Sequence, residues 1–274
     1  MSDIKIGVQI VPQFGDMTPM RDKWVECEQL GADVLYTCDH FFPMEFNKDV
    51  ASGTVHAKQP DNKNFEATTI QAAMAATTTR AEIGCIVHAN SYRNPNLMAD
   101  IARTIDHISG GRFILGIGSG YQQRDYEEYG YEYGTTKSRL LDLARDLPII
   151  KARFDKLNPK PLRKIPIMIA SMGEQIGMRI VAEHADLWHV YGPREQVTHK
   201  TEVLKKICDE VGRDFNTLEL TTFFMPHLLG DDEGDPEVYL KLGIRHLIYI
   251  TQGPDWDLSG LHKLLAWRKA MTSG

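Results

Sequence analysis

An acidic residue and a histidine stand side by side in the segment TCDHFFP, residues 37–43. Imidazole is the common side chain that titrates near neutral pH without help from its surroundings. His40, with Asp39 next to it, is therefore suited to donate or accept a proton in a reaction. The alternative is structural: Asp39 caps the following loop and His40 is a partly buried hydrogen-bonding residue. The two residues alone leave both interpretations open.

A glycine-rich turn, GIGSGY at residues 116–121, is a second candidate. Gly118, Ser119 and Gly120 would let the backbone approach a ligand and leave N–H groups free to hold a phosphate or a ring carbonyl. The segment lacks the third glycine that a dinucleotide-binding turn requires. A tight turn without any ligand is the competing interpretation.

Small residues also occur in the segment IASMGE, residues 169–174, ahead of a predicted helix. The first N–H groups of a helix lack partners within the helix, so an anion such as a phosphate would be stabilised there. The alternative is that Ser171 is an ordinary helix cap. Arg93, in the polar loop after the third predicted strand, is suited either to an anion or to pairing with surface carboxylates.

The metal-binding residue types do not form a convincing site. His184, Asp186 and His189 span a helix end and a strand, where their side chains should diverge. The four cysteines are scattered, without the spacing of a zinc site or a disulfide scaffold, and we expect reduced, buried thiols. The sequence therefore predicts no metal.

These candidates follow strands in a regular alternation of strands and helices. Hydrophobic periodicity predicts strands at 4–10, 34–38, 82–87, 113–118, 165–170, 186–190, 218–225 and 246–250. It predicts helices at 19–30, 66–77, 95–109, 138–154, 173–184, 197–211, 236–242 and 258–271. In the third helix, Leu97, Ile101, Ile105 and Ile108 form the predicted core face. Eight such alternations predict a closed parallel (β/α)8 barrel, with an open doubly wound sheet as the alternative.

Composition bounds the class of protein. The 274 residues suit one barrel domain, residues 1–274, without a linker. A formal charge of −6 without a basic stripe argues against nucleic acid as a partner. The N-terminal run MSDIKIGVQIVPQ is too short in apolar residues for a signal peptide or membrane helix, so we expect a cytoplasmic protein that does not bind membranes.

Several motifs together resemble the luciferase-like superfamily. They are DHFFP, YRNP at the start of a helix, D-x-x-S-G-G-R-F-x-L-G-I-G-S-G, and IPIMIA followed by AEHADLWH. The resemblance covers nearly the whole chain and is most specific over residues 94–121. It implies a TIM barrel that binds FMN or the deazaflavin coenzyme F420 across its C-terminal mouth. Asp-His-Phe after the second strand is more similar to the deazaflavin branch, so coenzyme F420 is the first expectation.

The resemblance also implies roles for individual residues. His40 would transfer the proton during hydride transfer, and Asp39 would orient either His40 or the coenzyme ring. Ile86 and Val87 would form a bulge, often a cis peptide in this branch, behind the ring. The resemblance implies that the coenzyme chain and its phosphate contact Gly118, Ser119, Gly120, Ala170, Ser171, Met172 and Gly173.

The sequence departs from the sugar-phosphate dehydrogenases of that branch. Met44 and Tyr121 stand where those enzymes place a tryptophan and a glutamate, so glucose 6-phosphate is a poor substrate candidate. The substrate is expected to be a small organic molecule that the sequence does not name. An FMN-dependent monooxygenase, served by a separate flavin reductase, is the alternative; a coenzyme-binding protein without turnover is the third. The family's habit of pairing barrels also implies a homodimer.

Overall fold

The computed structural model of the chain describes residues 4–45, 47, 57–225 and 234–273. Its strands are β1 (Lys5–Val11), β2 (Val34–Thr37), β3 (Glu82–Cys85), β4 (His88–Ala89), β5 (Leu115–Gly118), β6 (Ile167–Ala170), β7 (Leu187–Val190), β8 (Glu219–Phe223) and β9 (His246–Gln252). Its helices are α1 (Met17–Leu30), α2 (Ala67–Thr77), α3 (Pro95–Ser109), α4 (Gln123–Tyr129), α5 (Thr136–Lys156), α6 (Gly177–His184), α7 (Arg194–Val211), α8 (Pro236–Lys241) and α9 (Ser259–Ser273). Single 3₁₀ turns occur at Asn90–Tyr92 and Phe215–Thr217.

The strands form one parallel sheet that closes on itself. Their order is β3-β2-β1-β9-β8-β7-β6-β5-β4. The two end strands, β3 and β4, are consecutive pieces of one strand interrupted at Ile86 and Val87. β3 pairs with β2, β4 pairs with β5, and a parallel bridge joins Ile83 to Phe113. The interrupted strand therefore completes a (β/α)8 barrel, as the alternation of elements predicted.

Side chains alternate between the two faces of the sheet, as strand geometry requires. In β1, Ile6, Val8 and Ile10 pack in the main apolar cluster together with residues of the surrounding helices. Val11 instead belongs to a second cluster, with Tyr36 and other residues that point into the barrel. The layer between sheet and helices therefore forms the main core, and the interior is filled by a different set of side chains.

Helix α3 has the predicted bounds but only part of the predicted core face. Leu97 and Ile108 are 53% and 45% exposed. Ile105 is buried and Ile101 packs against the core, as predicted. The buried stripe also contains Met98 and Ala102, which lie three to seven residues from Ile105 on one side of the helix. Small alanines on this side let the helix approach its neighbours closely, so large apolar residues alone did not mark the buried face.

Other elements differ from the prediction at positions that matter for the site. The predicted strand 82–87 ends at Cys85, and the helix predicted from residue 173 begins at Gly177. α4 lies in a stretch where the sequence predicts no helix. Its seven residues are mostly polar or tyrosine, so they carry no clear apolar periodicity. α5 runs through Pro148 and extends two residues beyond each predicted end, from Thr136 to Lys156.

Ion pairs cover the N-terminal end of the barrel. Lys5 lies 3.4 Å from Glu82 and 3.3 Å from Glu219, each the first residue of its strand. His246, the first residue of β9, contacts Glu219 at 2.8 Å. These charged side chains hold four strand beginnings together at the end opposite the candidate site.

Within the described ranges, no helix is long and apolar enough to cross a membrane. The prediction from the N-terminal run rests partly on residues 1–3, which lie outside those ranges.

Candidate active site

A cavity of about 330 Å³ lies at the carboxyl ends of the barrel strands. The residues predicted from the sequence that line it are His40, Ile86, Val87, Gly118, Ser119, Gly120, Ala170, Ser171 and Met172. Two other predicted residues, Asp39 and Gly173, are not among its lining residues. The cavity is the place where strand ends of a parallel barrel bring distant residues together.

His40 is held by a carboxylate that the sequence analysis did not identify. Its Nδ1 lies 2.7 Å from Oδ2 of Asp125, a fully buried residue of α4. Asp125 also accepts hydrogen bonds from the Phe41 N–H at 3.1 Å, the Gln59 amide at 2.9 Å and the Tyr92 hydroxyl at 3.1 Å. Because Asp125 is surrounded by donors, it acts as an acceptor, and the proton of His40 is assigned to Nδ1. Nε2 of His40 is then free to exchange a proton with a ligand.

Asp39 has a different environment from the one predicted. It is 2% exposed, and its oxygens accept from Nη1 and Nη2 of Arg93 at 2.6 and 2.9 Å. They also contact Nδ1 of His88 at 3.3 Å and the Ala89 N–H at 3.2 Å. Of the two roles predicted for Asp39, orienting His40 is therefore wrong, because the carboxylate turns toward the segment after the bulge; orienting the coenzyme ring stays a prediction. Arg93 accordingly pairs with a buried carboxylate.

Arg93 extends this network to the start of α2. Its Nη2 also donates to Oε1 of Glu66 at 2.6 Å, and Glu66 caps α2 by accepting from the N–H groups of Thr68 and Thr69. Burial alone would raise the pKa of the Asp39 carboxyl, but the hydrogen bonds and charges of His88 and Arg93 hold that pKa well below its usual range. Asp39 is therefore an ionised structural tie.

The predicted bulge is present, and the Ile86–Val87 peptide bond is cis. Nε2 of Gln9 donates to the Ile86 carbonyl at 2.9 Å and to the Thr37 carbonyl at 3.3 Å. A Cβ atom on Gly118 would lie 2.8 Å from the Val87 side chain. The glycine-rich turn is therefore needed, at least in part, to make room for the bulge.

The segment after β6 is less regular than predicted. α6 begins at Gly177, with Ile176 as its capping residue, so Ser171 is not a helix cap. A Cβ atom on Gly177 would lie 1.9 Å from Oγ of Ser171, which shows that this hydroxyl sits against the helix start. Ser171 and Met172 line the cavity, whereas Gly173 accepts a hydrogen bond from the Met178 N–H at 2.8 Å.

Several lining residues were missed. They include Gln9, Cys38, Tyr191, Phe223 and Met225, and also His189, which the sequence suggested only as a metal ligand. Gln9, His189 and Phe223 lie within strands, and their inward direction depends on barrel register, which the sequence pattern does not provide. Burial raises the pKa of the Cys38 thiol and, together with nearby His246, lowers the pKa of His189 to about 3. The Cys38 thiol and the His189 imidazole are therefore both uncharged at neutral pH.

No group of three or more His, Cys, Asp or Glu side chains that could hold a metal ion occurs in the ranges that the structure describes. Asp186 pairs with Lys164, whereas His189 lies inside the barrel.

Comparison with known proteins places this site in a family. A family model described as luciferase-like monooxygenase matches residues 7–266. The pyrimidine monooxygenase RutA of Allorhizobium ampelinum is 32% identical over 144 residues, which are 45% of this chain and 38% of that protein. The chain spans about half or less of the length of the relatives that it matches first, from 38% to 54%.

Solved structures share the fold at low sequence identity. An F420-dependent secondary alcohol dehydrogenase has a TM-score of 0.78 at 14% identity, covering 96% of this chain and 98% of that one. A long-chain alkane monooxygenase, LadA, has a TM-score of 0.71 at 10% identity, covering 100% and 92%. With a family model that matches almost from end to end and a barrel whose site lies at the strand ends, this chain belongs to the luciferase-like monooxygenase family.

Proposed function

We propose that this chain binds FMN in the barrel cavity and uses it to oxygenate a small planar organic molecule. The observation that favours this reaction is the 32% identity to a pyrimidine monooxygenase. Reduced FMN supplies the electrons that activate dioxygen; one oxygen atom enters the substrate and the other leaves as water. A separate flavin reductase would supply the reduced coenzyme, and a homodimer is the proposed assembly.

The described residues suit a planar ring. Ile86 and Val87 offer an apolar surface on one side, and Met172 and Phe223 contribute apolar surface elsewhere in the cavity. His40 lines the same cavity and is oriented by Asp125. In this proposal the ring stacks against the bulge, and His40 moves a proton through Nε2.

The chain and phosphate of the coenzyme would occupy the mouth. We assign the side chain of the coenzyme to Gly118, Ser119 and Gly120, and its phosphate to the segment 170–173. Ser171 contributes a hydroxyl at the cavity wall. Gly173 does not line the cavity, so its part would be limited to shaping the turn.

Hydride transfer with coenzyme F420 is the second candidate. It is favoured by the Asp39-His40-Phe41 segment and the cis Ile86–Val87 peptide, which resemble the deazaflavin branch. In that reaction a hydride would pass between the coenzyme and a carbonyl or alcohol, and His40 would move the accompanying proton. Oxygen would not be consumed.

A paired fluorescence titration of the purified apo-protein with FMN and with coenzyme F420, at identical salt, tests the choice. Oxygen uptake is then measured with the bound coenzyme reduced. Preference for FMN with substrate-dependent oxygen uptake supports the monooxygenase. Tight binding of the deazaflavin alone, without oxygen uptake, would replace it with the hydride-transfer reaction. Failure of both to bind would refute the coenzyme site.

A further inference from the structure

His189 lines the cavity with one of its ring nitrogens unpaired. The residue is 1% exposed, and the edge of its ring meets Phe223, with ring centres 4.4 Å apart. Its Nδ1 lies 2.9 Å from Oγ1 of Thr221, which is opposite it on β8. In the part of the chain that the structure describes, Nε2 has no hydrogen-bond partner. A buried polar atom without a partner is unfavourable, which points to a group supplied from outside the chain.

Thr221 determines which nitrogen carries the proton. The threonine is 0% exposed. Within the described part of the chain, its hydroxyl forms a hydrogen bond with His189 and with no other residue. A buried hydroxyl requires an acceptor, so the Thr221 O–H donates to Nδ1 and the imidazole proton resides on Nε2. Burial lowers the pKa of His189 to about 3, and the ring is therefore neutral at physiological pH. Nε2 is then a donor that needs an acceptor.

Gln9 offers the complementary group. Its Nε2 donates to the carbonyls of Thr37 and Ile86, which fixes the direction of the amide. The amide oxygen is left as an acceptor on a residue that lines the same cavity. A donor and an acceptor on the wall of one cavity suit a planar ring that carries both a carbonyl and an N–H.

We propose that Nε2 of His189 donates a hydrogen bond to a carbonyl oxygen of a cyclic amide or imide, and that Gln9 accepts from the ring N–H of the same class of ligand. The carbonyl could belong to the coenzyme ring or to the substrate, because flavins, deazaflavins and pyrimidines all contain this group. The inference deepens the proposed function and rests on it, since it assumes that the cavity holds the coenzyme.

A matched pair of variants tests the donor. His189→Leu removes it at similar volume, whereas His189→Gln keeps an amide N–H near the position of Nε2. FMN and coenzyme F420 are titrated into each apo-protein, and uracil is titrated into the coenzyme-loaded protein. We expect His189→Leu to weaken binding of the carbonyl-bearing ligand about tenfold or more, and His189→Gln to stay within about threefold of wild type.

The affected ligand identifies the source of the carbonyl. Weaker coenzyme binding places it on the coenzyme ring, and weaker uracil binding alone places it on the substrate. Unchanged affinities for all three probes in folded His189→Leu would overturn the inference. Failure of wild-type protein to bind either coenzyme would instead remove the proposed function.

The tautomer gives a second readout that does not require a variant. ¹⁵N NMR of the wild-type protein should show a neutral His189 protonated at Nε2, with that signal shifting when FMN or coenzyme F420 is added. Thr221→Val should increase the population protonated at Nδ1. A wild-type ring protonated at Nδ1 would contradict the assignment, even if the His189 variants failed to fold.

Discussion

Replacing Asp39 by asparagine should lower the stability of the folded barrel without altering the chemistry of the cavity. Asp39 is 2% exposed, and the Arg93 side chain paired with it is 10% exposed. The substitution removes the charge and breaks a two-point contact of 2.6 and 2.9 Å, leaving Arg93 with only Glu66 as its carboxylate partner. Removing one member of a buried ion pair typically destabilises a protein by about 3–5 kcal/mol.

For a chain of this size, that loss corresponds to a fall in the melting temperature of roughly 6–20 °C. Circular dichroism melts of wild type and Asp39→Asn measure it. Asp16→Asn is the matched control, because the Asp16 side chain is 69% exposed in its pair with Lys63 and exposed pairs contribute little. Coenzyme titration below both transitions should give the same Kd for wild type and Asp39→Asn.

The opposite pattern would refute the structural role. If Asp39→Asn melted within about 2 °C of wild type but lost coenzyme binding or turnover, Asp39 would have to contact the ligand.

The pH dependence provides an independent check. The folded-state pKa of Asp39 is below its unfolded value, so its contribution to stability is present above about pH 4 and decreases as the pH falls below that value. The difference in melting temperature between wild type and Asp39→Asn should therefore narrow in acid.

Three further outcomes are expected. His40→Ala should lower turnover by about 10²–10⁴-fold with little change in coenzyme Kd, and Asp125→Asn should lower turnover by about tenfold or more because it releases the His40 ring. Steady-state kinetics and coenzyme titration test both variants, and full turnover in either would contradict its predicted role. Gly116→Ala should lower the melting temperature well beyond Gly173→Ala, since a Cβ on Gly116 would lie 1.8 Å from the Cys85 carbonyl oxygen, whereas a Cβ on Gly173 would have no atom nearer than 3.9 Å; equal melts would refute that packing argument. Cys27, Cys85 and Cys208 are buried and do not line the cavity, so an aromatic disulfide reagent should label these three only after denaturation, and rapid labelling of more than one thiol in the native protein would be inconsistent with this burial.

The barrel could be predicted from the sequence because the pattern that marks each strand or helix lies within that element. Each strand and helix carries its own periodicity, and residues such as Asn94, Pro95 and Gly110 mark the bounds of α3 directly. Two residues of its predicted buried face, Leu97 and Ile108, are exposed because burial depends on what packs against the helix. Alanine, which allows close approach, has no distinct hydrophobic signature.

The site was predicted where motifs are continuous in sequence and missed where they are not. His40 and the turn around Gly118 were identified, but Asp125 lies 85 positions from His40 in a short polar helix. By resemblance, Asp39 was assigned either to the adjacent His40 or to the coenzyme ring. Successive side chains at a strand end point in different directions, however, so the side chains of Asp39 and His40 have different neighbours.

The ion pairs at the N-terminal end of the barrel have a kinetic consequence for the proposed enzyme. With Lys5, Glu82, Glu219 and His246 across that end, molecules enter and leave the cavity at the opposite end. A coenzyme ring bound deeply enough to reach His189 would be covered by the substrate that binds after it. Binding should therefore be ordered, with the coenzyme first and the substrate second, and the product should depart before the coenzyme can exchange.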